Sequence, residues 1–469
     1  MAQFSQERGN DRRVRFLMNM FSIPKSRAYF QNLMEDKLAS PLARNTLWAL
    51  GGYGFRLVIQ AAYFIIIARC LGPQQYGGFI AVTALASVIS PFVGLGSGNL
   101  LIKNVARDRR LFSEYWGNGL MMTVVSGSAL ILFVMAVCRL ALPRAIPMLV
   151  IALVCSSDLI FVKILDLAAW AFQGVERLSI NAKLNVLISL IRLLGIAGLA
   201  LAMSHPTVTA WSAVYLAGSV LAALIAVAWV TSSLGRPKLA LHRIPREGTE
   251  GFYFSVSFSA MTIYNDIDKT MVARLATLAA AGVYGAAYRF IDVAFIPVRA
   301  LLSATYPGFF RNGAGGLQGS LRYGKRMMAR ALPYSFFAFG AIWIGAPLVP
   351  RILGSEYASV TEALRWLAVL PVLKTVHFFL ADSLTGAGHQ RERTFVQVGV
   401  AVFNILVNLW VIPAYGWRGA AGSSIASDGL LALSLWLLVV YMGREEITGM
   451  HERSQPSPLG GGCLTEGGG

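Results

Sequence analysis

From Asn45 to Tyr441 the sequence is a succession of apolar runs parted by short polar turns. Each run is about twenty residues long, enough to cross about 30 Å of hydrocarbon as a helix at about 1.5 Å per residue. Hydrocarbon offers backbone N–H and C=O groups no water, so a chain that lives there pairs them internally, as helices or as a closed barrel. Barrel strands are shorter and alternate apolar with polar positions, a pattern these runs lack. Composition agrees: 56% of the 469 residues are hydrophobic and 14% charged, with a mean hydropathy of +0.58. A soluble domain usually carries about 25% charged residues. The predicted fold class is an all-α polytopic membrane protein of about twelve transmembrane helices. Its spans fall at 45–69, 78–98, 116–138, 146–172, 180–203, 208–234, 251–274, 281–308, 329–350, 358–385, 394–413 and 419–441.

Charge assigns the sides. Segment 1–44 and the turns after even-numbered spans hold most of the Lys and Arg, among them Lys103, Arg107, Arg109, Arg110, Arg243, Arg246, Arg322, Lys325, Arg326, Arg391 and Arg393. The opposite side has Arg69, Arg139, Arg144, Arg351 and Arg418. Basic loops stay on the cytoplasmic face, so both termini are expected there, and an even number of spans follows. The same distribution accounts for the net charge of +18 as a coat facing anionic membrane lipids, with no nucleic acid required. No apolar run follows Met1 closely, so a cleavable signal peptide is not expected. The four cysteines are too scattered for a disulfide framework or a metal site. The expected organisation is a cytoplasmic N-terminal segment 1–44, an N-lobe 45–235, a cytoplasmic linker 236–250, a C-lobe 251–441 and a disordered cytoplasmic tail 442–469.

Two lobes follow from an internal repeat. Ile67-Ala68-Arg69, a turn, Tyr76-Gly77 and then Pro91 is matched by Val272-Ala273-Arg274, a turn, Tyr284-Gly285 and then Pro297. Gly174 with a basic turn and Asn185 is matched by Gly386 with a basic turn and Asn404. Repeats of six spans each enter from the same side, which predicts two six-helix lobes around a central cavity.

Charges inside the spans point to that cavity. Arg56, Lys163, Arg192, Lys269, Arg274, Arg289, Arg299, Arg365 and Lys374 lie in apolar runs, as do Asp158, Asp166, Asp266, Asp268, Asp292, Asp382 and Asp428. A charge at a helix centre costs about 2.5–3.5 kcal/mol by insertion scales, so these side chains should face water or one another. Lys163 and Asp166, Asp266 and Lys269, and Arg289 and Asp292 are each three residues apart, a spacing that suits structural ion pairs as well as function. Arg56 and Arg192 have no acid close by in sequence, Arg299 shares a helix face with Arg289 and Asp292, and Lys374 shares one with His377. An excess of cations suits an anion, and Arg forks suit phosphate oxygens. Arg56, Arg192, Arg289, Arg299 and Lys374 are therefore the expected substrate-binding residues. Asp158, Asp266, Asp268 and Asp292 are the expected ion-coupling or charge-balancing ones. No catalytic residue, metal site or cofactor is expected, since no P-loop, HExxH or GxSxG occurs.

Several short segments also resemble a known family. Arg69-Cys70-Leu71-Gly72-Pro73-Gln74-Gln75-Tyr76-Gly77 resembles the LGPxxYG turn of bacterial polysaccharide and O-antigen (Wzx-like) flippases. Gln173-Gly174-Val175-Glu176-Arg177 resembles their QGxxR segment, and Gly282-Val283-Tyr284-Gly285-Ala286-Ala287-Tyr288-Arg289 their GxYxxAYR element. Leu353-Gly354-Ser355-Glu356-Tyr357 and Ile412-Pro413-Ala414-Tyr415-Gly416-Trp417-Arg418-Gly419-Ala420-Ala421 continue the likeness. The resemblance covers about 45–440. It implies the MATE-like architecture of the multidrug/oligosaccharidyl-lipid/polysaccharide exporter superfamily, and a non-enzymatic role in the bacterial inner membrane. That role is flipping undecaprenyl-diphosphate-linked oligosaccharide for exopolysaccharide, capsule or O-antigen, beside a polysaccharide polymerase and glycosyltransferases. Of the family's residues, Arg289 and Asp268 carry over. A cation-coupled drug antiporter of the same fold, a peptidoglycan-precursor flippase and a non-transporting scaffold are the competing readings.

Overall fold

The computed structural model describes the backbone of residues 41–454 apart from 176, 242–254, 256–258, 260, 261 and 264. It describes their side chains from 57 to 443, apart from those at 106, 107 and 178. Two compact units are present, Met1–Val58 and Ile59–Gly469. Within the first, 41–58 is helical, and the helical bundle described below belongs to the second. Among the described residues every regular element is a helix.

The longest helix is two spans joined. α1, Pro41–Ile89, breaks at Gly72, where φ is 64° and ψ is 170°. Only glycine adopts that conformation cheaply, and Pro73 then starts the second limb with its φ already set. A further break follows at Ser90–Gly96, where Pro91 precedes positive φ at Gly94, Leu95 and Gly96. The sequence pattern ends the second span at 98, but the helix resumes as α2, Ser97–Arg107. Leu100, Leu101 and Val105 are buried on one side of α2 while Lys103 stays exposed, which explains why polarity alone misplaced its end.

The first half continues with α3 (Phe112–Ala141), α4 (Met148–Gly174), α5 (Leu178–Ala202) and α6 (Val208–Ser233). The second half contains α7 (described at 265–275), α8 (Leu278–Gly313), α9 (Leu317–Gly345), the single turn α10 (Val349–Leu353), and α11 (Val360–Leu367). It ends with α12 (Leu370–Gly386), α13 (Gln390–Tyr415) and α14 (Trp417–Ser454). Among the described residues nine helices are long and apolar enough to cross a membrane, and a pair bent by 42° before α12 makes a tenth. The first of the nine contains both limbs around Gly72, and the expected seventh span is described only in part. Twelve transmembrane helices in two six-helix lobes result. α8, α9 and α14 run past the spans expected at 281–308, 329–350 and 419–441, carrying Arg311, Arg322 and Lys325 on helix rather than on loop. α14 reaches Ser454, inside the stretch whose composition reads as a disordered tail.

The two ends of the bundle are packed differently. At the end holding Arg69, Arg351 and Arg418, one hydrophobic core joins both halves, from Phe64 and Tyr76 through Leu142 and Trp211 to Tyr284, Tyr357 and Ala421. At the basic end the halves have separate cores. One is built on Leu101, Trp116, Phe172 and Val230, and the other half uses two clusters around Leu384 and Phe309. The shared end is locked by close backbone approach: a Cβ on Gly77 would stand 1.8 Å from Leu278 O, and one on Gly282 would stand 2.0 Å from Pro73 O. The repeated motifs of the two halves thus meet each other. Tyr357 OH donates to Ala68 O at 3.0 Å, Arg274 Nε to Leu140 O at 3.1 Å, and Arg69 to the carbonyls of Arg351 and Ile352. The second repeated pair behaves alike. Gly174 packs on Leu101, Ile102 and Val105 of α2, and Gly386 on Phe309 of α8, so each half uses a glycine to seat the end of a later span on an earlier one.

Candidate functional site

The charged residues of the spans gather into three groups. In the first half, α4 widens by one residue per turn at Ser157–Phe161, a π-type turn that carries Asp158. Such turns are rare and frequent at functional sites. Arg192 of α5 donates from Nη2 to Tyr215 OH at 2.7 Å, and Tyr215 of α6 donates in turn to Asp158 Oδ1 at 2.7 Å. Arg192 also stands 3.8 Å from that carboxylate and lies over the Tyr215 ring at 4.4 Å. The local sequence leaves Arg192 without an acid, and the fold supplies one from the neighbouring helix. Ser157 Oγ donates to Ser219 at 2.8 Å, tying α4 to α6 at the same level.

The second group lies where α7 meets α8, α14 and α1. Lys269 Nζ reaches Asp266 Oδ1 at 2.7 Å, the pair that their spacing predicted, and sits over the Tyr288 ring at 4.7 Å. Ser87 of α1 donates to Asp266 Oδ2 at 3.2 Å. Asp268 is buried. Its Oδ2 accepts from Tyr284 OH and from Ser424 Oγ, and its Oδ1 accepts from the backbone of Lys269. Every carboxylate oxygen here has a donor, which is how an apolar bundle tolerates the charge.

The third group is Lys374, His377 and Asp428. Lys374 Nζ is 3.6 Å from Asp428 Oδ2 and donates to Asn265 Oδ1 at 3.3 Å, and His377 Nε2 is 3.3 Å from Asp428 Oδ1. All three side chains are at most 10% exposed.

Arg289 and Arg299 are exposed on α8. Asp292 pairs with Arg299 at 3.8 Å rather than with Arg289, which the spacing of three also allowed. Arg289 interacts electrostatically with Tyr63, Tyr76 and Asp292, and with Arg192 and Asp266 on helices of both halves. Arg289 is thus reached by solvent and flanked by charges of both halves. Lys374 is likewise within electrostatic reach of Asp292, Lys269, Arg299 and Asp268. Of the sequence-derived set, Arg192, Arg289, Asp158, Asp266, Asp268, Asp292, Arg299 and Lys374 therefore form a connected field between the halves. The side chain of Arg56 lies outside the described residues. Sequence reasoning missed Tyr215, Tyr284 and Ser424. A phenol in an apolar span must find a hydrogen-bond partner, but nothing local says which. Lys163 and Asp166 pair at 3.5 Å within one turn, and Arg393 reaches Asp382 at 3.5 Å near the basic end. Among the described residues no group of three or more metal-ligating side chains is assembled.

A multi-pass helical bundle with charged side chains gathered among its spans defines a class of polytopic membrane proteins by its fold. The chain belongs to the polysaccharide biosynthesis protein family, whose model matches residues 42–312. No curated protein sequence matches it. Among solved structures it is similar to a multidrug resistance MATE family transporter of the MOP superfamily in its inward-facing conformation, at a TM-score of 0.70 and 15% identity over 85% of this chain and 96% of that one. The outward-facing conformation of such a transporter gives a TM-score of 0.57 at 15% identity, over 87% of this chain and 97% of that one. The lipid II flippase MurJ, in an inward closed conformation, gives 0.67 at 12% identity over 84% of this chain and 87% of that one.

Proposed function

We propose that this protein flips an undecaprenyl-diphosphate-linked oligosaccharide from the cytoplasmic to the periplasmic leaflet of a bacterial inner membrane, for assembly of exopolysaccharide, capsule or O-antigen. The observation that carries the reading is Arg289, solvent-accessible and flanked by charges of both halves. A diphosphate is the obligate anion of such a substrate, while the lipid tail can stay in the bilayer. The lobes are 45–235 and 251–441, joined by a linker at 236–250, with both termini cytoplasmic as the basic bias requires. Separate cores at the basic end and a single core at the other support, in this reading, a bundle open toward the cytoplasm, in keeping with its greater likeness to the inward-facing transporter. Rocking of the lobes would then expose the charges to the other side. The protein does no bond chemistry in this reading.

A deletion strain should accumulate the lipid-linked intermediate inside and lose its surface polysaccharide; normal display would sink the proposal. Arg289→Ala should cut export about tenfold or more at unchanged protein level, the scale of about 1.5–3 kcal/mol for a charge-assisted contact. The likeness to MurJ favours one second reading, a peptidoglycan-precursor flippase. It predicts that depletion is lethal and that the chain rescues loss of a lipid II flippase.

A further inference from the structure

Ionised groups inside a bilayer-spanning bundle are costly, and other carboxylates of this bundle are hydrogen-bonded, Asp266 and Asp268 on both oxygens and Asp158 on Oδ1. Asp158 accepts from Tyr215 and Ser157, Asp266 from Lys269 and Ser87, and Asp268 from Tyr284, Ser424 and the Lys269 backbone. Asp428 departs from this rule. It is 2% exposed, and its Oδ1 accepts no hydrogen bond from the described residues, although it stands 3.3 Å from His377 Nε2. Its other oxygen, Oδ2, is 3.6 Å from the Lys374 ammonium, which holds the cluster near neutrality.

A proton fits that gap and a metal cation does not. Placed on Asp428 Oδ1, a proton turns an oxygen without a hydrogen into a donor aimed at an imidazole nitrogen, which removes the cost of a buried unsatisfied acceptor. Among the described residues no group of metal-ligating side chains is assembled here, and a sodium or other metal ion would sit beside the Lys374 ammonium against Coulomb repulsion. We propose that Asp428, with His377 and Lys374, is a proton-binding site that couples protonation to the lobe movement of the transporter proposed above. This places the coupling group apart from Asp158, Asp266 and Asp268, which accept hydrogen bonds, and from Asp292, which lies beside the exposed Arg299.

The consequence is mechanical. While Asp428 is ionised, its attraction for Lys374 ties α14 to α12. A proton from the surrounding water converts the carboxylate to the acid and the tie weakens, while the ammonium keeps Asn265 of α7, which it already reaches at 3.3 Å. Loss of the proton restores the tie. Among the described residues, the other charges facing the cluster come from α7, α8, α12 and α13. α12 itself adds Asp382, and α13 adds Arg393, which acts on His377. α7 and α8 add Asp268, Lys269, Asp292 and Arg299, which act on Lys374. α9 presents the neutral Ser335, hydrogen-bonded to Thr375. On α11, Glu362 is engaged by Arg418 of α14 at 2.7 Å in an exposed pair.

The test uses the full chain in lipid nanodiscs, with the proton as the only ligand. Infrared difference spectra between acid and neutral pH should show a protonated-carboxyl band that Asp428→Asn removes and Asp158→Asn keeps. Spin labels at Arg110→Cys and Lys325→Cys, with the native cysteines replaced, should change separation with pH in the parent chain, and not in Asp428→Asn. A carboxyl band retained in Asp428→Asn, or a separation that still responds to pH, overturns the proposal. Should Asp428→Asn fail to assemble, His377→Gln keeps the carboxyl group and removes its partner, and must shift the midpoint of the band; an unmoved midpoint overturns the proposal as well. The outcomes separate from those of the flippase reading. Intact export with a pH-insensitive Asp428 sinks the proton site alone, whereas a titrating Asp428 in a strain whose deletion leaves polysaccharide normal sinks the flippase reading alone.

Discussion

The two ends of the bundle are built from the same kinds of helix and hold together by different means. At the end of Arg69 and Tyr357, glycines bring backbones of opposite halves into direct contact, and one core runs through both. At the basic end each half buries its own aromatic residues, Trp116 and Phe172 on one side and Phe309 and Phe379 on the other. The difference teaches that one end is a closed seam and the other a parting of two lobes. A seam made of backbone contact is narrow in energy but exact in shape, because a glycine has no side chain that can yield.

Substitutions along the seam should therefore have graded effects. The largest is expected from Gly282→Leu, whose Cβ would enter the Pro73 carbonyl at 2.0 Å. Overpacking of that kind costs about 3 kcal/mol, and it should lower the melting temperature or force the seam open. Gly340→Leu, with open space around its Cβ, is the control and should melt like the parent; equal melting of both would refute the seam. Tyr357→Phe comes next. It strips a buried hydroxyl from Ala68 O and should cost about 1 kcal/mol, read as a lower denaturation midpoint. Arg69→Ala should do less, since the side chain that grips the Arg351 and Ile352 carbonyls is exposed and its bonds compete with water. Its clearer readout is faster cysteine labelling at the seam. Arg418→Ala should leave melting unchanged within error, because the pair with Glu362 is more than 40% exposed on both sides and surface pairs contribute little.

Much of the cavity was legible residue by residue, and little of its wiring was. The pairs three residues apart on one helix, Lys163 with Asp166 and Asp266 with Lys269, could be read from spacing because a helix places them on one face. The same rule offered Arg289 to Asp292, and the carboxylate took Arg299 instead. Spacing limits which partners are within reach but does not choose among them. Arg192 with Asp158, and Lys374 with Asp428, join helices far apart in the chain, and no local pattern contains them.

From the sequence alone it followed that this is a polytopic helical membrane protein, in which order its apolar runs come, and that its halves repeat, while the helix ends at Arg107, Leu317 and Ser454 did not. Hydrocarbon thickness, backbone hydrogen bonding and glycine geometry act on short stretches of chain, so short stretches record them. It took the tertiary structure to decide which end of the bundle is closed, which cations meet which acids, and that one Asp428 oxygen accepts no hydrogen bond from the described residues. Those depend on how helices rotate and lean against one another, and the energy that sets this is summed over contacts between residues distant in the chain.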